Sequence, residues 1–520
     1  MIDKKMTSPQ ADEVDIALLL EGTYPYVSGG VSSWVHQIIQ AFPEFRFGLV
    51  FIGGHPGEYG DMRYVLPEHV VHLEAHYVHA NHDQPPIKPV EGDTHVFRFI
   101  DELHTAMRAP ESCPHAVDLT QQMLALLTTC PEALQEQFLY SEPAWDFLCQ
   151  TYRRHCTDPS FVDFFWTVRK MHEPIWMLGK VAASLIPAKV YHTVSTGYAG
   201  FLGALLHHRT GRPLILSEHG IYTKERRIDL FQMTSFRDNR SLIEKRADHL
   251  GYFQQLWIRF FEILGTLCYD AANPIISLYE VNRQRQIHDG ADERRTLTIP
   301  NGIPVERFEP LRASRPSHPP PILCLIGRVV PIKDVKTFIR AMRTVVNRMP
   351  EAQGWIAGPE DEDKDYVQDC KHLTESLGLT QHVRFMGFQN VHELLPQIGL
   401  LILSSISEAL PLVVLEGFAA GVPAVTTDVG ACRQLIEGEG ILKDQAGRAG
   451  AVVSMANPTA LAEAALSLLT DTDAWRAAQK AGITRVESFY TQRQMIDHYR
   501  SIYAKALETW QALALSSARS

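Results

Sequence analysis

The stretch from residue 16 to residue 52, IALLLEGTYPYVSGGVSSWVHQIIQAFPEFRFGLVFI, contains a complete strand–turn–helix–strand unit. Residues 16–20 are all apolar, as in a strand that is buried on both faces. A glycine pair at 29–30 supplies a turn, and residues 31–41 are predicted to form a helix. Its apolar face consists of Val31, Trp34, Val35, Ile38 and Ile39. With the next strand predicted at 46–52, the unit indicates a parallel sheet with crossover helices.

The alternation of short apolar runs with helical patterns resumes at residue 188 and extends to residue 453. In the first half, the predicted strands are residues 188–193, 213–217 and 275–278. In the second half, they are residues 322–326, 354–357, 383–385, 400–403, 424–426 and 451–453. The expected fold class is therefore α/β, with two Rossmann-like, doubly wound parallel sheets.

Composition suggests how the chain is divided into domains. Residues 310–321 include five prolines, which is typical of a linker. We therefore expect an N-terminal Rossmann-like domain at residues 1–310 and a C-terminal one at residues 311–488. Residues 55–187 are rich in His and Pro and contain no convincing strand, so they are predicted to be an insertion in the first domain. Residues 489–520 are predicted to be a helical tail.

Charge and hydropathy together exclude several classes of function. The 520 residues include 49 Lys and Arg against 60 Asp and Glu, a formal net charge of −11. Nucleic-acid binding needs a basic surface, so no nucleic acid is expected as a partner. No apolar run approaches the roughly 20 residues of a membrane span, and the N-terminus lacks the basic flank of a signal peptide. We expect a soluble, cytoplasmic protein that does not insert directly into a membrane.

Two carboxylates follow the predicted strand at residues 400–403. Glu408 lies in the loop after this strand, and Glu416 lies on a helix that is predicted to begin near Pro411. The backbone amides of Leu412 and Val413 would point out of the start of this helix, where a phosphate binds readily. Ligands of open α/β sheets bind at the carboxyl ends of the strands, so both acids are candidates for a ligand site. The alternative is that each is an ordinary solvated charge.

Two cations lie in the loop that follows the predicted strand at residues 322–326. Arg328 and Lys333 are five residues apart in this loop. Arginine can bind phosphate oxygens with two hydrogen bonds, and lysine adds a mobile point charge. In an acidic chain, this pair at a strand end predicts an anion site. The alternative is a pair of surface cations near the start of a helix.

Two further strand ends are weaker candidates. Gly29 and Gly30 let the backbone pass close to a ligand before the predicted helix begins, although a plain tight turn fits them equally well. His219 follows the strand at residues 213–217, where a donor to a sugar hydroxyl or a phosphate would belong. A lone histidine is usually structural. Three charged residues follow it and could line the same site, namely Glu225, Arg226 and Arg227.

Taken together and in their order along the chain, these four segments resemble the retaining family-4 glycosyltransferases. Glu408 and Glu416 are similar to the acid pair in that family's signature, and the loop of Arg328 and Lys333 looks like its diphosphate clamp. The resemblance implies the GT-B fold, in which two Rossmann-like domains face each other across a cleft and a C-terminal helix crosses back to the first domain. The segments at residues 21–35 and 217–226 are similar to the cytosolic transferases of the bacterial Pel exopolysaccharide system.

The resemblance implies a UDP-sugar donor, UDP-glucose or a related UDP-hexose, and retention of the anomeric configuration. Arg328 and Lys333 would neutralise the leaving diphosphate. Glu416 would hold the ribose hydroxyls, and Glu408 would contact the sugar near its 3-hydroxyl. The implied catalytic residues are Glu408, His219, Arg328 and Lys333. The implied nucleotide-sugar-binding residues are Gly29, Gly30, Arg328, Lys333, Met386, Gly387, Phe388, Glu408, Leu410, Leu412, Val413 and Glu416.

No metal ion and no other cofactor are expected, because Arg328 and Lys333 can supply the positive charge that the leaving group needs. The acidic residues between 361 and 365 are interpreted as a solvated loop and the start of a helix instead of a metal site. The resemblance also implies a polysaccharide acceptor and membrane-embedded synthase partners, which would recruit the protein to the inner membrane.

Two other functions remain open at this point. The first is a UDP-sugar epimerase or hydrolase on the same fold, since a fold by itself does not fix the reaction. The second is a non-catalytic nucleotide-sugar-binding component of a membrane synthase complex. The reaction product distinguishes the first from a transferase, and binding without turnover would indicate the second.

Overall fold

The computed structural model describes residues 9–79, 90–108, 116–156, 160–232, 251–440 and 444–517. Its contacts divide the chain into two compact units. The first, which we call the N-unit, comprises Met1–Ser277, Gln284–Leu297 and Arg500–Ser520. The second, the C-unit, comprises Leu278–Arg283 and Thr298–Tyr499. Each unit is built on its own sheet.

Seven strands form the sheet of the N-unit, in the order β3-β2-β1-β4-β5-β6-β7. They are β1 (Val14–Glu21), β2 (Phe47–Gly53), β3 (Val70–Tyr77), β4 (Ala188–Thr193), β5 (Leu214–Glu218), β6 (Ile275–Ser277) and β7 (Thr296–Thr298). β1 pairs in parallel with both β2 and β4. Residues 16–20 are all buried, which is typical of a strand with helices over both faces. The central strand predicted from the sequence is therefore confirmed.

Helices pack around this sheet. They are α1 (Gly30–Ala41), α2 (Thr94–Arg108), α3 (Ala116–Thr129), α4 (Pro131–Tyr140), α5 (Glu142–His155), α6 (Phe161–Ser184), α7 (Tyr198–Thr210), α8 (Tyr222–Gln232), α9 (Tyr252–Ala271) and α10 (Glu280–His288). The buried residues of α1 include Trp34, Val35, Ile38 and Ile39. The predicted apolar face of this helix is thus confirmed, with Val31 only partly buried.

The segment at residues 55–187 contains α2 to α6 and also the strand β3, which the sequence pattern did not predict. Its sequence, VVHLEAHY, places polar residues at 72, 74 and 76, and these obscure the apolar signal of a strand. The structure nevertheless buries His72. The amide of Ala11 donates to its Nδ1, and its Nε2 lies 2.6 Å from a carboxylate oxygen of Glu74. Because both of its ring nitrogens are hydrogen-bonded, this histidine can be buried within a strand. The strand β3 forms the edge of the sheet, beside β2.

Six strands form the sheet of the C-unit, in the order β10-β9-β8-β11-β12-β13. They are β8 (Ile322–Ile326), β9 (Gln353–Ala357), β10 (Val383–Gly387), β11 (Leu400–Leu403), β12 (Ala424–Thr427) and β13 (Gly450–Val453). Every strand lies within two residues of its predicted position. β8 and β11 are parallel neighbours, with Leu323 opposite Leu400 and Leu325 opposite Ile402. The carboxyl ends of these two strands therefore lie side by side.

The helices that follow are α11 (Val305–Phe308), α12 (Val335–Arg348), α13 (Lys364–Ser376), α14 (Val391–Leu394), α15 (Leu412–Ala419), α16 (Cys432–Glu437), α17 (Pro458–Thr470), α18 (Thr472–Phe489) and α19 (Gln492–Ser517). The residues of α19 from Arg500 onward belong to the N-unit. There the Tyr503 hydroxyl lies 2.8 Å from Nδ1 of the buried His192. Among the residues that the structure describes, no helix is long and apolar enough to cross a membrane.

The proline-rich segment at residues 310–321 lies within the C-unit. Arg315 from this segment donates to the carbonyl oxygens of Leu395 and Ile398, and its guanidinium lies over the ring of Trp475, 5.2 Å from the centroid. Burial lowers the pKa of Arg315 to about 10, so the side chain remains charged at neutral pH. These contacts attach the segment to the core of the C-unit.

A buried ion pair between Arg485 and Asp444 connects α18 to the segment that precedes β13. The Arg485 side chain is only 1% exposed and that of Asp444 only 2%. The guanidinium also donates to the carbonyl oxygens of Leu435, Ile436 and Gly447. Removing one partner of a buried ion pair leaves the other charge without compensation, which typically costs about 3–5 kcal/mol.

We therefore expect Arg485→Met to lower the free energy of unfolding by about 3–5 kcal/mol, as measured by urea denaturation of the full chain. The matched control is Arg476→Met, because Arg476 lies on the same helix but is exposed and donates to a single carbonyl, that of Ser317. This control should change stability by less than about 1 kcal/mol. Equal effects of the two substitutions would contradict the role assigned to the buried pair.

Candidate functional site

The loop after β8 brings Lys333 to Glu408, the first of the predicted pairs to make contact. Lys333 ends a short 3₁₀ turn, and its Nζ lies 2.5 Å from Oε1 of Glu408. The Ser405 hydroxyl donates to the same oxygen at 2.7 Å. Both charged side chains are largely buried, with exposures of 23% for Lys333 and 13% for Glu408. A cation and an acid from two neighbouring strand ends therefore converge in the C-unit.

Backbone contacts hold the two loops together and position this ion pair. The Ser404 hydroxyl donates to the carbonyl oxygens of Lys333 and Asp334 at 2.9 and 3.0 Å. In the same direction, the amide of Ile406 donates to the carbonyl of Ile332 at 2.8 Å. Because these hydrogen bonds to backbone carbonyls hold one loop against the other, the ion pair rests on more than two flexible side chains.

Arg328, the second predicted cation of this loop, takes a different partner. Its Nη1 lies 2.8 and 2.6 Å from the two carboxylate oxygens of Glu362, and both side chains are about half exposed. Glu362 belongs to the loop after β9. Gly358 allows this loop to come close, because a Cβ at that position would lie 2.0 Å from the carbonyl oxygen of Gly327. Arg328 thus lies in the predicted loop but pairs with Glu362 instead of Glu408.

The acidic residues around 361–365 act mainly as partners of other groups. Besides Glu362, Asp363 caps α13 by accepting from the amide of Tyr366 at 2.9 Å. Within the described residues there is no group of three or more His, Cys, Asp or Glu side chains that could hold a metal ion. The helix start predicted for this segment is confirmed, while metal independence stays a prediction.

Glu416 lies on the second turn of α15, as predicted, and is mostly buried. Burial raises the pKa of this carboxyl to about 7, and the charge of Arg307 opposes the increase. Leu412 and Val413 occupy the first turn, where backbone amides have no partner inside the helix. Leu410, just before the helix, is buried in the core of the C-unit. An acid that is close to half protonated at neutral pH is unusual on a helix surface and is typical of functional sites.

Three of the residues implied to bind the nucleotide sugar, Met386, Gly387 and Phe388, are at the end of β10. Gly387 has a φ of +62°, and its carbonyl accepts from the amide of Gly358 at 2.8 Å. The carbonyl of Met386 accepts from the side-chain amide of Gln389. The ring of Phe388 is 84% exposed. A large exposed aromatic ring at a strand end is a surface on which a planar ligand can stack.

In the N-unit, the glycine pair lies at the start of α1. Gly30 is the first residue of the helix, and Gly29 has a φ of 167°, which is extended backbone that any residue adopts. A Cβ at either position would meet no atom within 4 Å among the described residues. A tight turn therefore does not require glycine here. What the glycines leave is open space over a helix N-terminus, where a ligand can approach the backbone closely.

His219 follows β5 as predicted and is buried. Its ring contacts Trp34 edge to face, with centroids 4.6 Å apart. Burial lowers the pKa of His219 to about 3, so the ring is neutral at pH 7. Its Nε2 is buried and has no hydrogen-bond partner in the described part of the chain. Since a buried polar atom without a partner costs free energy, this nitrogen is suited to a ligand hydroxyl.

His219 lines a pocket of about 430 Å³ within the N-unit. The carboxyl ends of four parallel strands open into it, through Glu21 at the end of β1, Gly53 at the end of β2, Ser195 after β4 and His219 after β5. Glu225 and Arg226 also line the pocket, as the sequence suggested. Arg227 instead pairs with Glu262 at 2.9 Å.

Sequence reasoning missed a network of acids and hydroxyls at this pocket. Glu21 accepts from the Tyr222 hydroxyl at 2.7 Å and from the amide of Ala199 at 3.2 Å. The completely buried Glu218 accepts from Thr196, Tyr269 and Gln286. The available signal was the placement of Glu21 and Glu218 at the last position of two apolar strands.

The same network perturbs Glu225. Burial and the nearby charge of Glu218 raise the pKa of the Glu225 carboxyl to about 7. Like His219, it lines the pocket in a form whose charge is disfavoured by burial.

Comparison with known proteins identifies the family. Residues 14–294, more than half of the chain, match the family model described as domain of unknown function (DUF3492). The chain belongs to the DUF3492 family. Residues 320–471, which contain the Lys333–Glu408 pair, match a second family model, described as glycosyl transferases group 1.

Curated relatives of this DUF3492 chain include several glycosyltransferases. It is 26% identical over 241 residues to the D-inositol 3-phosphate glycosyltransferase of Geodermatophilus obscurus, a match that covers 44% of the chain and 51% of that protein. It is 28% identical over 187 residues to the N-acetyl-alpha-D-glucosaminyl L-malate synthase of Bacillus anthracis, covering 36% of the chain and 46% of that protein. The chain spans about half the length of these relatives.

Solved structures show the fold. Anabaena HepE in complex with UDP superimposes with a TM-score of 0.56 at 13% identity, covering 94% of the DUF3492 chain and 100% of HepE. Sucrose-phosphate synthase from Thermosynechococcus elongatus gives a TM-score of 0.55 at 15% identity, covering 95% and 100%. With the two parallel sheets, these similarities confirm the predicted α/β fold of the GT-B class.

The burial of His219 predicts a pH dependence of stability. An unfolded histidine has a pKa near 6.5, so the unfolded chain binds more protons than the folded one as pH falls below that value. Stability contributed by the neutral ring is present above pH 6.5 and is lost as pH falls, by up to about 1.4 kcal/mol per pH unit. We expect His219→Gln to lose less unfolding free energy between pH 7.5 and pH 5 than the wild type, as measured by urea denaturation.

The control for this measurement is His318→Gln, since His318 is exposed. His318→Gln should follow the wild-type pH profile, because burial does not disfavour the charged form of an exposed histidine. The acids are the same in the wild type and in both variants, so they contribute equally to all three profiles. Parallel profiles for the wild type and His219→Gln would show that His219 is not held in its neutral form.

Proposed function

We propose that this chain is a retaining glycosyltransferase that transfers a hexose from a UDP-sugar to an acceptor, without a metal ion. The observation that carries the proposal is the convergence of Lys333 and Glu408 beside α15 in a segment that matches the group 1 glycosyl transferases. The UDP in the complex with Anabaena HepE, a protein of the same fold, supports the choice of nucleotide.

Charge at the reacting bond explains why Lys333 is needed. Breaking the bond between a sugar and UDP places negative charge on the diphosphate, and a fixed cation directed at that charge lowers the barrier. In the structure, the ammonium of Lys333 is neutralised by Glu408. A bound diphosphate would share this cation, and the carboxylate of Glu408 would then be available to a donor-sugar hydroxyl near the 3-position.

The remaining residues of the C-unit fit the nucleotide part of the same ligand. Arg328 would add a second cation, since its pairing with Glu362 is exposed and such pairs are worth only about 0–1 kcal/mol. The first-turn amides of α15 would bind phosphate oxygens. Glu416 would accept hydrogen bonds from the ribose, and the exposed ring of Phe388 would lie against the base.

In the N-unit, we assign to the sugar the unpartnered Nε2 of His219 and to a phosphate the amide of Gly30. The neutral imidazole can accept or donate one hydrogen bond at this atom without adding charge. A Cβ at Gly30 would meet no atom within 4 Å among the described residues, so there is room for such an approach.

For the biological role, we propose synthesis of a bacterial exopolysaccharide. Residues 21–35 and 217–226 are similar to the cytosolic transferase of the Pel system, often called PelF, and this similarity supports Pel as the polymer. UDP-glucose or a related UDP-hexose would be the donor and a growing polysaccharide the acceptor. In this role, the protein would be cytoplasmic and recruited to the inner membrane by synthase partners.

We expect Lys333→Ala to lower the rate of sugar transfer by about 10²–10³-fold, because a preorganised stabilising charge is lost. The full chain would be incubated with each of several UDP-hexoses and an oligosaccharide acceptor, with EDTA present. UDP release and the elongated product would be measured, and NMR would establish the anomeric configuration. The matched control is Lys336→Ala, three residues away, where the lysine pairs with the exposed Asp369.

The products separate the proposal from its rivals. Elongated acceptor of retained configuration supports the transferase, and loss of activity in Lys333→Ala with normal activity in Lys336→Ala supports the assigned site. Free sugar or an epimerised nucleotide sugar would instead indicate a hydrolase or an epimerase. Binding of a UDP-sugar without turnover, even in the presence of membranes from the same cells, would indicate a non-catalytic role.

Glu416 predicts how donor affinity changes with pH. Ribose hydroxyls donate to the ionised carboxylate, and this form becomes dominant only as pH rises through about 7. We therefore expect the Kd for UDP-glucose, whose diphosphate does not titrate in this range, to fall about tenfold between pH 6 and pH 8. Isothermal titration calorimetry at the two pH values measures this change.

In Glu416→Gln the pH dependence should disappear, since the amide carries no proton that titrates. Glu463→Gln is the matched control, because Glu463 is an exposed glutamate on a helix of the same unit. It should retain the wild-type pH profile. A persistent tenfold change in Glu416→Gln would assign the titrating group to another residue.

A further inference from the structure

The helices of the segment at residues 55–187 line a second cavity, partly open to solvent, which the proposed transfer reaction does not use. Its volume is about 210 Å³, and α2 to α7 and α9 all contribute to its lining. Of the 25 residues that line it, 20 are apolar or aromatic, among them Leu124, Leu148, Phe164 and Phe260. The cavity lies within the N-unit, away from the strand-end pocket, with which it shares no lining residue.

A cavity of this size leaves its apolar lining without the close packing that is usual between core helices. Interiors are packed as densely as organic crystals, and the few voids are generally close to the size of a water molecule. A dry apolar cavity of about 150 Å³ is already large enough to bind benzene. The space here exceeds that volume, and its lining offers many dispersion contacts to an apolar occupant.

Two polar atoms in the lining have no partner. The Thr151 hydroxyl and the Trp176 indole nitrogen are both buried, and neither has a hydrogen-bond partner in the described part of the chain. Thr151 is 8% exposed and Trp176 4%, and both residues line the cavity. Leaving a buried donor without a partner typically costs about 1–3 kcal/mol. Both atoms can donate, so they are complementary to an oxygen acceptor on an otherwise apolar ligand.

Neither His172 nor Arg259, two other polar residues of the lining, accepts a hydrogen bond from these two donors. His172 is fixed in place: its Nδ1 lies 2.8 Å from the carbonyl of Val168, and its ring stacks on Phe138 with centroids 4.6 Å apart. Arg259 lines the cavity from α9 and is exposed to solvent. A cation at the solvent-facing part of an apolar cavity is suited to an anionic head group.

We propose that this cavity binds a hydrocarbon chain that ends in an oxygen acceptor, such as a fatty acyl chain or a long-chain alcohol. The chain would occupy the apolar lining, and its oxygen would accept hydrogen bonds from Thr151 and Trp176. A carboxylate head would in addition pair with Arg259. The inference does not depend on the proposed transferase activity, because it rests on a cavity without any residue of that site.

Calorimetric titration of the full chain with sodium decanoate and with 1-decanol, both below their aggregation concentrations, tests the proposal. We expect both to bind, with a negative heat-capacity change that reflects apolar burial. Leu124→Phe places a larger side chain in the cavity and should weaken both ligands at least tenfold. The matched control is Leu134→Phe, since Leu134 is also 8% exposed in the same core but does not line the cavity.

Two further variants test the polar contacts. Thr151→Val removes the hydroxyl at nearly constant volume and should weaken both ligands about two- to tenfold, the value of one hydrogen bond. Arg259→Ala should weaken decanoate alone if the natural head group is an anion, as in a free fatty acid. If decanoate binds Arg259→Ala as tightly as it binds the wild type, the cavity takes a neutral head group, as in an ester or an alcohol.

Circular dichroism and urea denaturation establish that each variant is folded, and neither measurement depends on the proposed transferase activity. The proposal is overturned if neither decanoate nor 1-decanol binds the wild type. It is equally overturned if Leu124→Phe and Leu134→Phe have the same effect, because binding would then lie elsewhere on the protein.

Discussion

The ion pair between Lys333 and Glu408 depends on the parallel pairing of β8 with β11. Parallel neighbours end at the same edge of the sheet, so loops that are separated by about 70 residues of sequence emerge side by side. Hydrogen bonds from the Ser404 hydroxyl and the Ile406 amide to backbone carbonyls then fix one loop against the other. Without this arrangement the two charges would be ordinary surface groups, and the site proposed for the diphosphate would not exist.

Burial has a similar effect on the titratable groups of both units. It raises the pKa of Glu416 and Glu225 to about 7 and lowers that of His219 to about 3. In each case the desolvated charged form is disfavoured, because the surroundings offer too little compensating charge. A carboxylic acid that is partly protonated and an imidazole that is neutral can each exchange hydrogen bonds with hydroxyl groups. Such groups suit a carbohydrate-bearing ligand at the strand ends of each unit.

Much of the fold was predictable because β-strands buried on both faces leave a continuous apolar run in the sequence. Residues 322–326 and 400–403, for example, have the same bounds in the prediction and in the structure. The strand β3 was not predictable, because His72 and His76 interrupt its apolar pattern. Only the structure shows that Glu74 bonds to both rings and makes the burial of His72 tolerable. The helical cavity was equally invisible, since a lining residue and an ordinary core residue are both apolar.

The sequence by itself determined the strand and helix positions, the presence of charged residues after particular strands, and a resemblance to glycosyltransferases. These are local properties, set by apolar periodicity and by residue order. The tertiary structure alone decided the partners. It paired Lys333 with Glu408 but Arg328 with Glu362, and it left Nε2 of His219 without a partner among the described residues. The reason is physical: contact and desolvation depend on which strand ends become neighbours, and one-dimensional spacing does not specify that.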